Sequence, residues 1–426
     1  MKKYLYRLLA KYLSFHISES SSVIEIGNSD NHLLKQNIKT CNYKIIDNIE
    51  EITSPSPDFI VLNGNVHYEK DVQEFFSRIH EKINFDSRLI IIYYSSLWKP
   101  FIKLATFFKL RTKKPEENWI THEDVQNLLS LNDLQIVRRD SKVIFPLYIP
   151  LLSYFINRNI APLPFFRFFS LINIVVARSV KNAETGLKSV SIVVPARNEE
   201  GNIEVIAQKL PKFSENDELI FIEGNSTDNT WRKIQEIAEK YKSERKIIFA
   251  QQVGKGKGDA VRKGFSLATG DILMIFDADI TVPHYDIDKF FHAIKNNKGE
   301  FINGSRLVYP MEKEAMRFLN MVGNKFFAQS FSFTIGQRFN DTLCGTKVIS
   351  RKNYLKLIEN RKYFGEFDPF GDFDLIFGAT KLALKIVEIP VRYRERTYGS
   401  TNISRWKHGV ILLRMLFFAM RKIKFI

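Results

Sequence analysis

The chain has 426 residues, of which 45% are hydrophobic and 26% charged; this is enough for at least two folding units with real cores and excludes a disordered or fibrous protein. Its only cysteines, Cys41 and Cys344, rule out a disulfide framework or a structural zinc site. Lysine and arginine outnumber aspartate and glutamate by 63 to 47, and a net charge of +16 favours an acidic partner such as nucleic acid, an anionic membrane face or a phosphorylated substrate.

The N-terminal MKKYLYRLLAKYLSF reads as a basic amphipathic helix, because Arg7 and Lys11 interrupt its apolar stretch and no small-residue cleavage site follows. SVIEIG (22–27), DFIVLNG (58–64) and RLIIIYY (88–94) read as buried strands, and VQEFFSRIHEKI between the last two has helical spacing. Strand, helix, strand predicts an α/β layout with parallel strands. Residues 143–177 mix proline, phenylalanine and isolated arginine without acids, and predict apolar helices that pack on the domain or dip into a lipid interface. The polar stretch 179–189 marks the meeting of two domains.

Beyond it, strands are expected at 189–195, 218–224, 246–252 and 271–279, separated by helices that begin near Glu200 and Asp228 and a third that ends at Ala268. Four strands in that alternation make half of a doubly wound sheet, whose ligands bind at the carboxyl ends of the strands. From His408 the chain combines an apolar body with Arg414, Arg421, Lys422 and Lys424, and predicts a helix lying along an anionic bilayer. No run reaches the roughly 18 to 20 apolar residues of a spanning helix.

The polar motifs fall at the predicted strand ends. DILMIF delivers Asp277 and Asp279, two carboxylates that can share a hard cation already holding phosphate oxygens. Such a pair also occurs as a helix-capping turn. VVPARNEEGN opens a polar turn at Asn198, Glu199 and Glu200, and IEGNSTDNTW places Glu223 to accept a hydrogen bond from a base and Asp228 to cap the next helix. VGKGKGDAVRKG is a basic loop suited to folding over a diphosphate through backbone N–H groups and Lys255 or Lys257. It matches neither a Walker loop nor a dinucleotide fingerprint.

From about Lys188 to Trp406 the ordered motifs VVPARNEE, EGNSTDNT, GKGKGDAVRKG, ATGDILMIFDADITVP, NGSRL, DTLCGTKV and EIPVRYRERTYGS resemble the inverting family 2 glycosyltransferases of GT-A fold. Within that family they are nearest to the dolichol-phosphate mannose synthase and polyprenyl-phosphate sugar transferase branch. The resemblance implies that Pro195, Ala196, Asn198, Glu199, Glu223, Lys257, Ala278 and Arg396 line the nucleotide sugar. It also implies that Asp277 and Asp279 hold Mg²⁺ or Mn²⁺ and diphosphate, and that Arg306 faces phosphate. Three positions depart from the branch: Glu223-Gly224-Asn225-Ser226 stands where relatives commonly have Asp-Asp-Gly-Ser, Thr281 stands in place of a glutamine, and Gly399-Ser400-Thr401-Asn402 lacks a lysine. Arg394, Arg396 and Arg405 remain to meet phosphate.

The N-terminal half resembles a class I S-adenosylmethionine methyltransferase over residues 22–178. Its cofactor turn, Gly27-Asn28-Ser29-Asp30-Asn31, has one glycine where such loops have two or three, and too little chain separates it from the strand at Asp58 for the usual elements. A domain that no longer binds S-adenosylmethionine is expected.

The expected organisation is α/β throughout. A degenerate Rossmann-like methyltransferase domain spans 1–180 with an apolar helical segment at 143–177, 181–189 is a linker, 190–406 is a GT-A domain, and 407–426 is a basic amphipathic membrane-surface helix. The resemblance implies metal-dependent, inverting transfer of a sugar from a nucleotide-sugar donor to a polyprenyl phosphate, by a protein peripheral on the cytoplasmic face of the cell membrane. An acceptor phosphate is already ionised, so positioning can replace a strong base. A sugar-hydroxyl acceptor in cell-envelope glycan synthesis requires a base, for which Asp341, Asp372 and Asp374 are the candidates. An inactive membrane-associated scaffold is the reading from another class. Nucleic acid is not an expected partner, since no recognition module accompanies the charge.

Overall fold

Short runs of β-branched and aliphatic residues supply the strands of two sheets, of six and seven strands, in a computed structural model. It describes residues 2–27, 32–109, 118–180, 189–309, 318–365, 371–396, 398 and 405–426. The chain divides into two units, Met1–Lys181 with Arg421–Ile426, and Asn182–Met420.

In the first unit the strands are β1 (Ser22–Ile26), β2 (Asn42–Ile46), β3 (Phe59–Asn63), β4 (Arg88–Tyr94), β5 (Leu134–Lys142) and β6 (Ile172–Ser179), in the order β2-β1-β3-β4-β6-β5. The first four run parallel, and β6 pairs antiparallel with both β4 and β5. The helix Val72–Lys82, capped where the Asp71 carboxylate accepts the Glu74 N–H at 2.9 Å, buries Val72, Phe75, Phe76 and Ile79 against this sheet.

The stretch between β1 and β3 holds one further strand, β2, a single-turn helix, His32–Lys35, and the short turn Ile49–Glu51. A sequence expectation changes in this unit. Residues 143–177 are not an apolar helical segment: they contain only the short helical turns Leu152–Phe155, Ile156–Ile160 and Phe166–Phe169, followed by β6. All eight residues of β6 are buried, so its apolar run has no helical period and fits a strand covered on both faces. The cofactor-turn residues 28–31 and the linker residues 181–188 lie outside the described residues.

The last six residues return to the first unit. Lys424, expected at a lipid headgroup, is only 3% exposed and ion-pairs with Asp140 at 2.8 Å. Arg138 shares that carboxylate at 2.5 Å, and the Lys142 ammonium donates to the Lys424 carbonyl at 3.1 Å. Burial pushes Lys142 down to about 7, against the attraction of Asp140.

The second unit contains β7 (Val190–Ala196), β8 (Glu218–Glu223), β9 (Lys246–Gln251), β10 (Ile272–Ile275), β11 (Phe301–Ser305), β12 (Lys347–Ser350) and β13 (Ile386–Pro390), in the order β13-β11-β12-β10-β7-β8-β9. The four strands expected from sequence, β7 to β10, are parallel neighbours. They alternate with the helices Glu200–Lys209, Thr230–Lys240 and Lys257–Leu267. β12 runs antiparallel between β10 and β11, and β11 is parallel to β13. Ile192, Val194, Phe221, Met274 and Phe290 belong to its buried core. Among the described residues no helix is long and apolar enough to cross a membrane.

Candidate active site

The parallel order of β10, β7 and β8 gathers three polar turns at one end of the sheet. Pro195 and Ala196 close β7 opposite Ile222 and Glu223 of β8, and the Gly224 N–H donates to the Ala196 carbonyl at 2.8 Å. Asn198 takes a left-handed φ of 56°, donates its N–H to Ser226 Oγ at 3.0 Å and accepts the Thr227 N–H at 2.8 Å, so it ties the first two turns together. Glu223 is 1% exposed; its carboxylate accepts the Ser226 N–H and, at 3.0 Å, the Gln251 amide. Burial pushes its pKa up, but these hydrogen bonds outweigh it and leave the carboxyl below its ordinary value. Of the two oxygens sent by sequence toward a base, one is therefore engaged within the turn and the other by Gln251 at the end of β9. Asp228, expected to cap the next helix, lies one position ahead of the N-cap Asn229 and accepts the Thr230 N–H at 3.0 Å.

Asp277, Ala278 and Asp279 follow β10, with Ala278 buried. The ammonium of Lys257, first residue of the helix Lys257–Leu267, meets Asp277 Oδ1 at 2.6 Å. Burial pushes the Asp277 carboxyl up, but Lys257 outweighs it and holds the group below its ordinary value. Asp279 Oδ1 accepts the Thr281 hydroxyl at 2.8 Å, and its Oδ2 accepts Arg396 Nη2 at 2.8 Å. Thr281, which stands in the glutamine position, thus orients Asp279.

Arg396 reaches this point because the chain after β13 is pinned as it passes β11. The Val391 N–H donates to the Ser305 carbonyl and the Arg394 N–H to the Thr281 carbonyl, each at 2.9 Å. The other arm of the guanidinium lies 3.3 Å from Glu199 Oε1. Burial pushes the Glu199 carboxyl up to about 7, with Arg396 opposing and Asp279 reinforcing the rise. Lys257 and Arg396 therefore neutralise the two aspartates from two separate elements.

Gly345, within DTLCGTKV, allows the close approach: a Cβ there would stand 1.8 Å from Asp277 Oδ2 and 2.4 Å from the Lys257 ammonium. Beside it, the buried Lys347 ammonium pairs with Asp372 at 2.9 Å. Gly371, at φ 77°, brings the start of the helix Asp372–Lys381 against Gly258. Gly345, Lys347 and Thr281 were not assigned functional roles from sequence. A lysine inside a short apolar strand is the signal that a buried acid must await it.

The candidate bases are all paired. Arg306 forks onto Asp341 with contacts of 2.7 and 2.8 Å, and Arg361 meets Asp374 at 2.5 Å. Burial pushes the Asp341 carboxyl up, but Arg306 outweighs it and holds the group below the ordinary range. Arg306, assigned to phosphate, spends its fork on Asp341 and lies over the Tyr393 ring at 5.0 Å. Asp341 itself is 1% exposed.

A divalent cation fits this donor set. Two carboxylates two positions apart supply hard oxygens, with Asp277 and Asp279 side chains 30% and 16% exposed. No group of three or more His, Cys, Asp or Glu residues able to hold a metal occurs among the described residues. Two protein carboxylates, completed by water and diphosphate oxygens, is the ligand pattern of Mg²⁺ at nucleotide sites. Residues 399–402, where the motif departs from its relatives, lie outside the described residues.

The chain is 35% identical over 121 residues to a dolichol-phosphate mannosyltransferase of Pyrococcus furiosus, covering 28% of this chain and 33% of that one. It is 28% identical to a dolichyl-phosphate beta-glucosyltransferase of Saccharomyces cerevisiae, over 48% of this chain and 66% of that one. It is also 27% identical to a UDP-N-acetylglucosamine–dolichyl-phosphate N-acetylglucosaminyltransferase of Methanococcus voltae, over 55% of this chain and 98% of that one. The chain thus spans a third and just under two thirds of the first two relatives. Residues 191–357, within the second unit, match the model of glycosyl transferase family 2.

Proposed function

We propose that this chain transfers a sugar, with inversion, from a nucleotide-sugar donor to a polyprenyl phosphate, through a GT-A domain at the cytoplasmic face of a membrane. The observation that carries the choice of acceptor is that Asp341, Asp372 and Asp374 are each tied to a cation, by Arg306, Lys347 and Arg361. An acceptor hydroxyl needs a free base, whereas an ionised phosphate needs only to be held in line. The relatives named for dolichyl-phosphate acceptors support the same reading.

Asp277 and Asp279 would hold Mg²⁺ or Mn²⁺, which when bound neutralises charge building on the departing diphosphate. Lys257 and Arg396, now paired with those aspartates, stand where they can turn to the phosphate oxygens once the carboxylates are otherwise engaged. The turns at Asn198 and Glu223 form the rigid wall against which the nucleoside is placed. The first unit is read as a methyltransferase-like fold without a methyl-transfer role.

The test incubates the full chain with a panel of sugar nucleotides, Mg²⁺ or Mn²⁺, and one of three acceptors: polyprenyl phosphate, the matching polyprenol, or a panel of oligosaccharides with free hydroxyls. Metal-dependent transfer to the phosphate alone is expected, and Asp279→Asn should abolish it while leaving the melting temperature within a few degrees. Transfer to a sugar hydroxyl, with none to polyprenyl phosphate, would overturn the proposal.

A further inference from the structure

In the first unit the helix Lys99–Phe107 buries none of its side chains. Phe101, Leu104 and Phe107, with Phe108 just beyond, are between 54% and 78% exposed. A helix of nine residues is too short to persist in water on its own hydrogen bonds, so an apolar face left open on it is more costly than scattered surface residues. Phe165 and Phe168 are 71% and 68% exposed on a second segment. Trp98 joins the two: its indole N–H donates to the Phe169 carbonyl at 2.9 Å, and its ring lies 5.5 Å from Phe101.

Charge selects what covers this face. Residues 95–109 and 143–178 contain no acidic side chain. Lys99, Lys103, Lys109 and Arg167 are all exposed around the aromatic residues. Elsewhere in the same unit, Leu151 is 87% exposed, and the Lys11 ammonium lies 5.4 Å from the Tyr154 ring, which brings the basic helix Lys2–Leu13 beside a further apolar residue. A second copy laid face to face on these segments would bring like charges together, with no acid in 95–109 or 143–178 to offset them. Aromatic side chains ringed by lysine and arginine match the boundary of an anionic bilayer, where rings sit at headgroup level and cations meet lipid phosphates.

We propose that the face built from Lys99–Phe107 and Phe165–Phe169 docks the first unit on an anionic lipid surface. The anchor expected at the C-terminal tail is thereby placed, at least in part, in the N-terminal unit. The proposal extends the reading of a membrane-borne acceptor, but its test contains no sugar nucleotide, so either can fail without the other.

The full chain is sedimented with vesicles of phosphatidylcholine alone or mixed with phosphatidylglycerol, and compared with the double variant Phe107→Asp, Phe168→Asp. The expected result is salt-sensitive binding of the natural chain to the anionic vesicles, weakened roughly tenfold or more in the variant. Its melting temperature should be unchanged, because both side chains face outward. Equal sedimentation of the variant would overturn the proposal. So would failure of the natural chain to bind vesicles while the same variant converts a dimer to a monomer on size exclusion, which would make the face a protein contact.

Discussion

Gly345→Ala tests the site through a single methyl group. Its backbone needs no left-handed φ, so alanine carries no conformational penalty and the effect is steric alone. The added Cβ would stand 1.8 Å from Asp277 Oδ2, where ordinary contact begins near 3.4 Å, so the carboxylate must retreat by about 1.6 Å. Such a retreat separates Asp277 from Lys257 and moves one of the two oxygen donors away from its partner on Asp279. A misplacement of about 1 Å in a reacting constellation can cost roughly 100-fold in rate, so turnover should fall by at least that factor. Stability should fall far less, by about 1 kcal/mol, because the Lys257–Asp277 pair is partly open to solvent, with side chains 27% and 30% exposed. Initial rates over a metal titration, with thermal melts alongside, separate the two effects. Gly323→Ala is the control, since nothing lies within 4 Å of its added methyl. If Gly345→Ala turned over within twofold of the natural chain while still melting normally, Asp277 could not be part of the reacting constellation.

Other outcomes follow from buried charge in the first unit. Glu25, buried beneath the Tyr43 hydroxyl at 2.8 Å and the Asn63 amide at 3.0 Å, has its carboxyl pushed up by burial to about 7. Between pH 4.5 and 7 the folded chain then holds a proton that the unfolded chain has released, so stability falls as pH rises through that window, by up to about 3 kcal/mol. Glu25→Gln should flatten this slope in denaturant titrations from pH 4 to 8, and an unchanged slope would exclude Glu25 as its source. Lys424→Met should destabilise the first unit by about 3 kcal/mol, because Asp140 keeps Arg138 but loses a buried partner. Normal stability together with weaker vesicle binding would instead return Lys424 to the membrane role read from sequence.

The sequence by itself determined the parallel core of each unit. Buried runs such as RLIIIYY and ELIFIE can be satisfied only as covered strands, and strands alternating with amphipathic helices leave little choice but right-handed parallel crossovers. It also located the polar turns of the site, since strand ends are where backbone groups and short polar side chains become accessible together. Pairings between residues far apart in the chain were decided only in three dimensions. Arg396 was legible as a phosphate-binding cation, but not as the group bridging Glu199 and Asp279, which lie 197 and 117 positions away. Asp341 and Arg306 carried separate roles on paper, yet their charges satisfy each other in the buried site, because an isolated ion there would be far costlier than the pair. Lys424 follows the same physics: on a helical projection it belongs with the surface cations, but the fold places a buried Asp140 within 2.8 Å, and that partner draws the end of the chain into the first unit.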